Sequence, residues 1–559
     1  MPGAVYRCDA LRDDEPNRAP PTTPGTLMTS HHGPTGPVDH DFIDPVVGHP
    51  RRWAILPVLC LSLFLVVVDN TIVNVALPTL SRDLSATTSQ LQWIVDAYSL
   101  VFASLLLVFG NLGDRFGRKG MLQAGLLVFA GTSAFAAFAT TAGGLIAARA
   151  AMGIGAAMVF PATLAILTNV FVDRVERAKA VGIWSAVSGL AVALGPLSGG
   201  WILEHSWWGA IFLVNLPIVA LALASGWRLV PRTRDPEAGP LDPVGLVSSV
   251  AAVVLLVFTV IEAPRYGWTS TRTLTGFVVT AALLAGFVLW ELRRDHPMLD
   301  VRVFRNSRFS AASSSIAVAF FGLFGFIFLI TQYFQFVRGY STLSAGIHTL
   351  PFAIAAGVMA PIAARLAIRY GSKVVVTGGL LLMSAGFWIA SSYTATTPYW
   401  GPVVLGMVLI AGGLTSTSAP STDAILGALP KDKAGVGAAM NDTTRELGGT
   451  LGVAVVGSVF SSVYGPRLAE LLAGLPIPAA ALAAARESVQ AAAVIVERAP
   501  DAARPGILDA TFASFMDGFQ AGSRVVAVAT LVGALIAARF LPARATAEHD
   551  EVAEEAATP

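Results

Sequence analysis

Charge is what this sequence has least of. Asp, Glu, Lys and Arg make up 13% of its 559 residues, and 54% are apolar; an ordinary soluble domain is about a quarter charged. That scarcity excludes a soluble globular protein. With 37 basic and 36 acidic residues the formal net charge is +1, so no global field draws the chain to nucleic acid. Two cysteines, Cys8 and Cys60, cannot build a disulfide framework, and Cys60 lies inside an apolar run. None of the eight histidines stands at metal-ligand spacing from another His or Cys, so no metal site is expected. No GxxxxGKS or GxxxxGKT occurs and there is no soluble block to hydrolyse a nucleotide, which argues against a primary pump. A Ser/His/Asp constellation is also missing, and an enzyme with a cofactor is not expected.

What the chain does have is long apolar runs. About 20 residues cross a hydrocarbon core of ~30 Å, and runs of that length fall at 54–77, 92–112, 121–140, 144–167, 178–200, 209–228, 244–262, 273–291, 309–331, 346–366, 374–391, 400–424, 435–461 and 522–542. The sequence therefore predicts an all-α polytopic membrane protein with fourteen spans. Lys and Arg gather on cytoplasmic loops. Here they gather on alternate connections, among them Arg115, Arg118 and Lys119; Arg174, Arg177 and Lys179; Arg228, Arg232 and Arg234; Arg293 to Arg308; Arg369 and Lys373; and Lys431 and Lys433. That alternation fits both termini on the cytoplasmic side of the cell membrane. Residues 1–52, rich in Pro, Asp and Gly, lack the apolar core of a signal peptide and read as a disordered cytoplasmic tail, as do 544–559. One long outer connection, 462–521, is Ala-rich with mixed charge and suits a helical hairpin.

Charge is concentrated at 110–119, GNLGDRFGRK, and the chain echoes that segment. LGDRFGRK at 112–119 pairs with LAIRYGSK at 366–373: Arg115, Gly117 and Lys119 recur as Arg369, Gly371 and Lys373. Both copies follow an even-numbered span. A charged loop repeated at matched topology implies duplicated halves: 53–228 and 309–543, with 229–308 contributing a linker and two extra central spans.

These residues resemble a known family. GNLGDRFGRK is similar to the inner-loop signature of the major facilitator superfamily, and VVDNTIVNVALP at 67–78 resembles the first-helix signature of its fourteen-helix drug:proton antiporter branch. LGPLSGGWI at 194–202 resembles the fifth-helix antiporter motif, with Gly195, Pro196, Gly199 and Gly200 in place, and Arg149 matches the fourth-helix arginine. Met152 stands where the family usually has glutamine. WWGAIFLVNLPI (207–218) and PSTDAIL (420–426) look closest to the quaternary-ammonium and multidrug efflux pumps. The resemblance covers about 54–542. It implies a major facilitator fold, two six-helix halves plus the two inserted helices. It also implies proton-coupled efflux of lipophilic, chiefly cationic compounds, with a small-molecule substrate, protons and membrane lipid as the only partners and a monomeric carrier. Export of a lipid or metabolite, or proton-coupled uptake on the same fold, stays open.

Ionisable groups inside a membrane cost roughly 2.5–3.5 kcal/mol or more, so those retained are functional candidates. No histidine lies deep in a span, and a proton relay would have to use carboxylates: Asp69, Asp96, Asp442 and Glu446, assisted by Arg149. Asp69 reads either as a proton or cation site or as a partner for Arg149. Asp96, between Trp93 and Tyr98, reads as a proton site or as an interfacial residue. Asp442 and Glu446 are four apart and share a helix face; coupling competes with local neutralisation by Arg445. Asp69, Asn74, Trp93, Asp96, Tyr98, Asp423 and Glu446 are the candidate substrate contacts, where carboxylates and aromatics (with Phe334 and Phe336) would hold a lipophilic cation. Gly110, Asp114, Arg115, Gly117, Arg118 and Lys119 form the expected conformational latch, with Asp114 pairing across the two halves by resemblance. Gly195 and Gly199, four apart, permit close helix contact, and Pro196 bends the helix.

Overall fold

The protein is described from a computed structural model, which covers residues 48–234, 242–294, 297, 299, 301–428, 434–475 and 477–542. Residues 1–47 of the expected N-terminal tail 1–52, all of the expected C-terminal tail 544–559, part of the central linker, and Lys431 and Lys433 lie outside the described residues; the last residue of the expected N-terminal tail, Arg52, opens the first helix. The described chain is a succession of long helices. The first six are α1 Arg52–Asp83, α2 Thr88–Phe116, α3 Arg118–Ala137, α4 Ala142–Val170, α5 Arg174–His205 and α6 Ala210–Leu229. Two more, α7 Pro243–Tyr266 and α8 Thr271–Glu291, precede a second set: α9 Ser307–Val337, α10 Thr342–Tyr370, α11 Ser372–Ala390, α12 Tyr399–Leu426 and α13 Ala434–Leu471. The short α14 Ala479–Glu487 and α15 Val489–Arg498 lead into α16 Arg504–Phe540.

Twelve helices among the described residues are long and apolar enough to cross a membrane, thirteen with the bent α2. The helix α5 stands where the fifth of the fourteen expected spans falls. In hydrocarbon every backbone group must find its partner internally, and helices meet that need. Their ends are finished by side chains. Thr87 accepts from the Gln90 amide while its own N–H donates to Gln90 Oε1 (3.0 Å), and Asp242, Ser270, Asn306 and Ser341 cap α7, α8, α9 and α10. Helices outlast the apolar runs at several ends. The clearest case is α16, which begins at Arg504 rather than near 522, because intrahelical bonding continues where the apolar pattern has already stopped.

The packing repeats between the two sets. In the first, α1 packs on α4, α5 and α6, and α4 on α2 and α3. In the second, α9 packs on α12, α13 and α16, and α12 on α10 and α11, the same pairs in the same order. Small residues make the closest of these approaches in both sets: a Cβ on Gly155 would come within 2.8 Å of Phe129 N, and one on Gly379 within 2.7 Å of Gly413 O. The loop echo is also structural. Gly117 and Gly371 each end a helix at positive φ (116° and 84°), a conformation that favours glycine. Each donates its N–H to the carbonyl four residues back at 2.9 Å. Two duplicated six-helix halves result. They meet where α2 faces α13 and where α5 faces α10, while the inserted α7 lies against both α2 and α13.

Candidate functional site

The ends carrying 114–119 and 369–373 define a basic end of the bundle. Towards the opposite end the halves are joined by hydrogen bonds. Gln92 Nε2 donates to Ala454 O (3.0 Å), Gln335 Nε2 to Val75 O (2.9 Å) and Thr342 Oγ1 to Gly200 O (3.1 Å). Ser81 and Ser488 share a hydroxyl contact of 3.2 Å, and Thr88 Oγ1 donates to Glu487 O at 3.0 Å. The segment containing α14 and α15 therefore touches α1 and α2 across the seam.

Beneath that closure lies a buried polar centre in the first half. Asp69 on α1 and Arg149 on α4 form a completely buried ion pair. The other Asp69 oxygen accepts from Asn215 Nδ2 on α6 (2.9 Å), and the Asn215 amide also donates to Ser133 Oγ on α3 (3.0 Å). Arg149 Nε donates to Ile94 O (3.1 Å), and its guanidinium lies 4.3 Å from the Tyr98 ring, whose hydroxyl donates to Val66 O (3.0 Å). Five helices of one half, α1, α2, α3, α4 and α6, are tied around two opposite charges, which is how a buried ion pair is tolerated. The expectation that left Asp69 open between a cation site and a partner for Arg149 meets a carboxylate with both oxygens engaged.

The other acids are placed differently. Asp96 on α2 is fully buried, and neither of its oxygens has a hydrogen-bond partner among the described residues. On α13, Glu446 Oε2 is buried and has no hydrogen-bond partner among the described residues. Asp442 accepts from Asn441 Nδ2 (3.2 Å) and sits 4.0 Å from Arg445, which donates to Thr422 Oγ1 (3.0 Å) and lies over Phe320. Asp423 is exposed at the basic end of α12. Asn74 is buried and donates to the carbonyls of Asn70 and Thr71 in its own helix. Trp93 turns to Phe258 of the inserted α7 (6.2 Å) rather than to the Asp69 centre. Phe334 and Phe336 pack with Tyr340, Tyr399, Phe512 and Phe515 near the opposite end.

The glycine motif divides its work. A Cβ on Gly199 would come within 2.7 Å of Ile72 on α1, and Gly195 meets Thr71 of the same helix, so both pack inside their half. Gly200 faces Thr342 O (2.6 Å to an added Cβ), and Pro196 O lies equally close to Gly346, so these two residues meet α10 across the seam. In the basic loop, Arg118 Nε bonds Asp114 Oδ1 at 2.7 Å, Arg118 N donates to Thr233 O (2.9 Å) and Lys119 Nζ to Trp227 O (2.9 Å). In this structure Asp114 is thus held by its own loop rather than across the halves. Gly110 lies beside Pro161 of α4 and Arg115 over Phe116.

Sequence reasoning missed the neutral partners Asn70, Ser99, Ser133, Asn215, Thr422 and Asn441, because it sorted the spans by formal charge. An amide within an apolar run, as in VVDNTIV or FLVNLPI, is the signal that would have found two of them. It also passed over Arg365 and Arg524, which fall inside two of the predicted spans.

Comparison with known proteins agrees with this architecture. The chain is 35% identical over 486 residues to the multidrug efflux pump LfrA of Mycolicibacterium smegmatis, covering 87% of this chain and 95% of that one. It is 37% identical over 467 residues to the methyl viologen resistance protein SmvA of Salmonella typhimurium (83% and 93%), and 31% identical over 515 residues to a tetracenomycin C resistance and export protein of Streptomyces glaucescens (91% and 94%). Among solved structures, an inward-facing, unoccupied bacterial homologue of the human lysosomal transporter Spinster shares the fold with a TM-score of 0.62 at 19% identity, covering 89% of this chain and 98% of that one. Residues 59–453 match the family model of the Major Facilitator Superfamily, and this multi-pass membrane protein belongs to that superfamily.

Proposed function

We propose that the chain exports lipophilic, chiefly cationic drugs across the cell membrane in exchange for protons, with its basic end and both termini in the cytoplasm. It works as a monomeric carrier rather than an enzyme, and uses the proton gradient in place of any cofactor. The observation that carries proton coupling is a contrast within the buried acids. Asp69 has its charge neutralised and both oxygens bonded, whereas Asp96 and one Glu446 oxygen have no hydrogen-bond partner among the described residues. A carboxyl with no existing bond can accept a proton, or sit beside a cationic drug, without dismantling the fold around it. Efflux is supported by relatives named for drug efflux and resistance that align over more than four-fifths of this chain.

With the halves joined near the opposite end, a substrate reaches the centre from the cytoplasmic side. Alternating access then breaks the seams at α2–α13 and α5–α10 and re-forms contacts at the basic end. Competition between drug cation and proton for Asp96 and Glu446 makes the exchange obligatory. The test is ethidium transport in everted vesicles under an imposed pH gradient, comparing wild type with Glu446→Gln and Asp96→Asn. Loss of gradient-driven transport in either variant supports the assignment. Wild-type overexpression that leaves ethidium accumulation unchanged would instead turn attention to lipid or metabolite export.

A further inference from the structure

One face of α2 is given over to the inserted helix α7, and Asp96 lies on it. Ser89 Oγ donates to Glu262 Oε1 of α7 at 2.9 Å. Trp93 packs on Phe258 of the same helix, ring centroids 6.2 Å apart. Leu100 is buried in one apolar cluster with Val257 and Ile261 of α7 and Ala454 of α13. Successive residues on a helix turn by about 100°. Measured round α2 from Asp96, Ser89, Trp93 and Leu100 stand about 20°, 60° and 40° to one side. Gln92, which donates to Ala454 O of α13, stands about 40° to the other. Ile94, whose carbonyl accepts from Arg149 Nε, and Tyr98, whose ring lies beside that guanidinium, are each about 160° away. Asp96 therefore faces the junction of α7 and α13 and turns its back on the Asp69–Arg149 pair.

That junction is polar at its mouth, away from the basic end, and apolar below. Gln92 Nε2 also reaches Ser458 Oγ of α13 at 3.4 Å, and Ser458 Oγ donates to Val260 O of α7 at 2.7 Å, so three helices meet at one hydroxyl. Trp268, in the turn after α7, donates to Ser462 Oγ of α13 at 2.9 Å. Glu262, the only acid in the α7 sequence, stands half-buried among them. Asp96 follows Ser89 by two turns, about 10 Å deeper along the α2 axis, between the Trp93–Phe258 contact and the Leu100 cluster. The charged groups around Glu262 are Arg265 of its own helix and Arg272 of α8, both against the Tyr266 ring. From α2 comes Asp96, its other charges lying at the basic end; from α13 comes Arg467, engaged by Glu470 and Asp517. Glu487 of α14 meets α2 through its carbonyl, bonded to Thr88.

We infer that the inserted helix supplies the carrier's proton entrance: Glu262 takes protons from water at the mouth of the α2–α7–α13 junction and hands them inward to Asp96. A half-buried carboxylate at the surface exchanges protons with water directly, whereas Asp96 is shut off by aromatic and aliphatic side chains and needs a donor placed near its access. The step balances. An O–H bond forms on Glu262 as water gives up a proton; it breaks as the proton passes through water to an Asp96 oxygen, and Glu262 returns to its anion. The contact with Ser89 survives both charge states, because a hydroxyl donates to the anion and accepts from the acid. The duplicated halves thus hold the buried acid, and the insertion gives it a way out to the proton reservoir.

This rests on the antiport reading, and the test keeps the two apart. Everted vesicles carrying the full chain are held at a fixed pH difference, and ethidium uptake is followed together with the loss of protons from the lumen. Glu262→Gln keeps an oxygen for Ser89 and removes only the titrating group. It is expected to bind ethidium like wild type and to slow gradient-driven transport roughly tenfold or more, as the loss of a positioned proton-transfer group does. Glu262→Asp should restore most of the rate. Acidifying the lumen at the same pH difference should narrow the Glu262→Gln deficit, because direct protonation of Asp96 then keeps pace. Added to Asp96→Asn, Glu262→Gln should cost nothing further. A plain tether between α7 and α2 predicts the reverse, with Glu262→Gln like wild type and Glu262→Ala impaired at every pH, and that pattern overturns the inference. So does a deficit that acid leaves unchanged, or a further fall in the double variant. A wild type that moves ethidium with no proton flux sinks the antiport reading and this inference with it; wild-type proton flux beside an unimpaired Glu262→Gln sinks the inference alone.

Discussion

The two halves of the carrier are alike in packing and unlike in charge. Helix pairs recur one for one, down to the glycine-ended loops at Gly117 and Gly371. Yet the first half encloses an ion-pair network, Asp69–Arg149–Asn215–Ser133, beside an Asp96 with no hydrogen-bond partner among the described residues. The second half carries a loose cluster on α12 and α13, in which Arg445 Nε and Glu446 Oε2 have no hydrogen-bond partner among the described residues. The repeated packing supplies a common scaffold, and a few side chains set the two halves apart. A buried ion pair resists change, because removing either member strands a charge in a low dielectric. An unmatched acid can change its charge with little structural consequence.

The difference can be broken most sharply at Arg149. Arg149→Ala leaves Asp69 buried without its cation and should destabilise the protein by about 3–5 kcal/mol, the usual cost of halving a buried pair. Thermal melting in detergent, followed by size-exclusion of the survivors, measures this. A melting curve like that of wild type would mean the network is not an anchor. Glu446→Gln and Asp96→Asn should behave oppositely. Melting should hold, since no matched charge is orphaned, while gradient-driven ethidium transport falls on the order of tenfold or more, the range of a typical coupling free energy. A variant that melts early and transports poorly in the same proportion would erase the contrast between paired and unpaired acids.

Much of this was legible in the sequence, for reasons that can be assigned. Long apolar runs and the placement of arginines specify membrane helices and their order, because both follow from transfer free energies that act on each segment separately. The loop echo at 366–373 survives as a repeated backbone turn because glycine is favoured at a positive φ there. The retained acids were visible for the same energetic reason. Their division into paired and unpaired was not, since it depends on which helix faces rotate together: Asp69 and Asn70 are neighbours in sequence, yet Asp69 pairs with Arg149 of α4 and Asn70 accepts from Ser99 of α2. Trp93 shows the same limit, being drawn to Phe258 by an inserted helix whose docking site no local pattern encodes.

Two smaller effects probe the seam itself. Gly200→Leu and Gly346→Val each drive a side chain into backbone of the facing helix. Overpacking of this kind costs about 1–3 kcal/mol, charged only to the state in which α5 and α10 touch. Cysteine labelling at the opposite end, at Thr342 for example, should therefore become faster in these variants; unchanged labelling would mean the seam relaxes without opening. Asp114 should matter least to stability. Its bond to Arg118 is partly exposed, and such pairs contribute about 0–1 kcal/mol. Asp114→Asn should therefore melt as wild type does. In the state described here Asp114 is held within its own loop, so any service to the opposite half must come in the alternate state. Turnover should then fall more than ethidium affinity, because the substitution acts on the closing of the basic end rather than on the binding centre. Unchanged turnover would leave GNLGDRFGRK as a mark of topology alone.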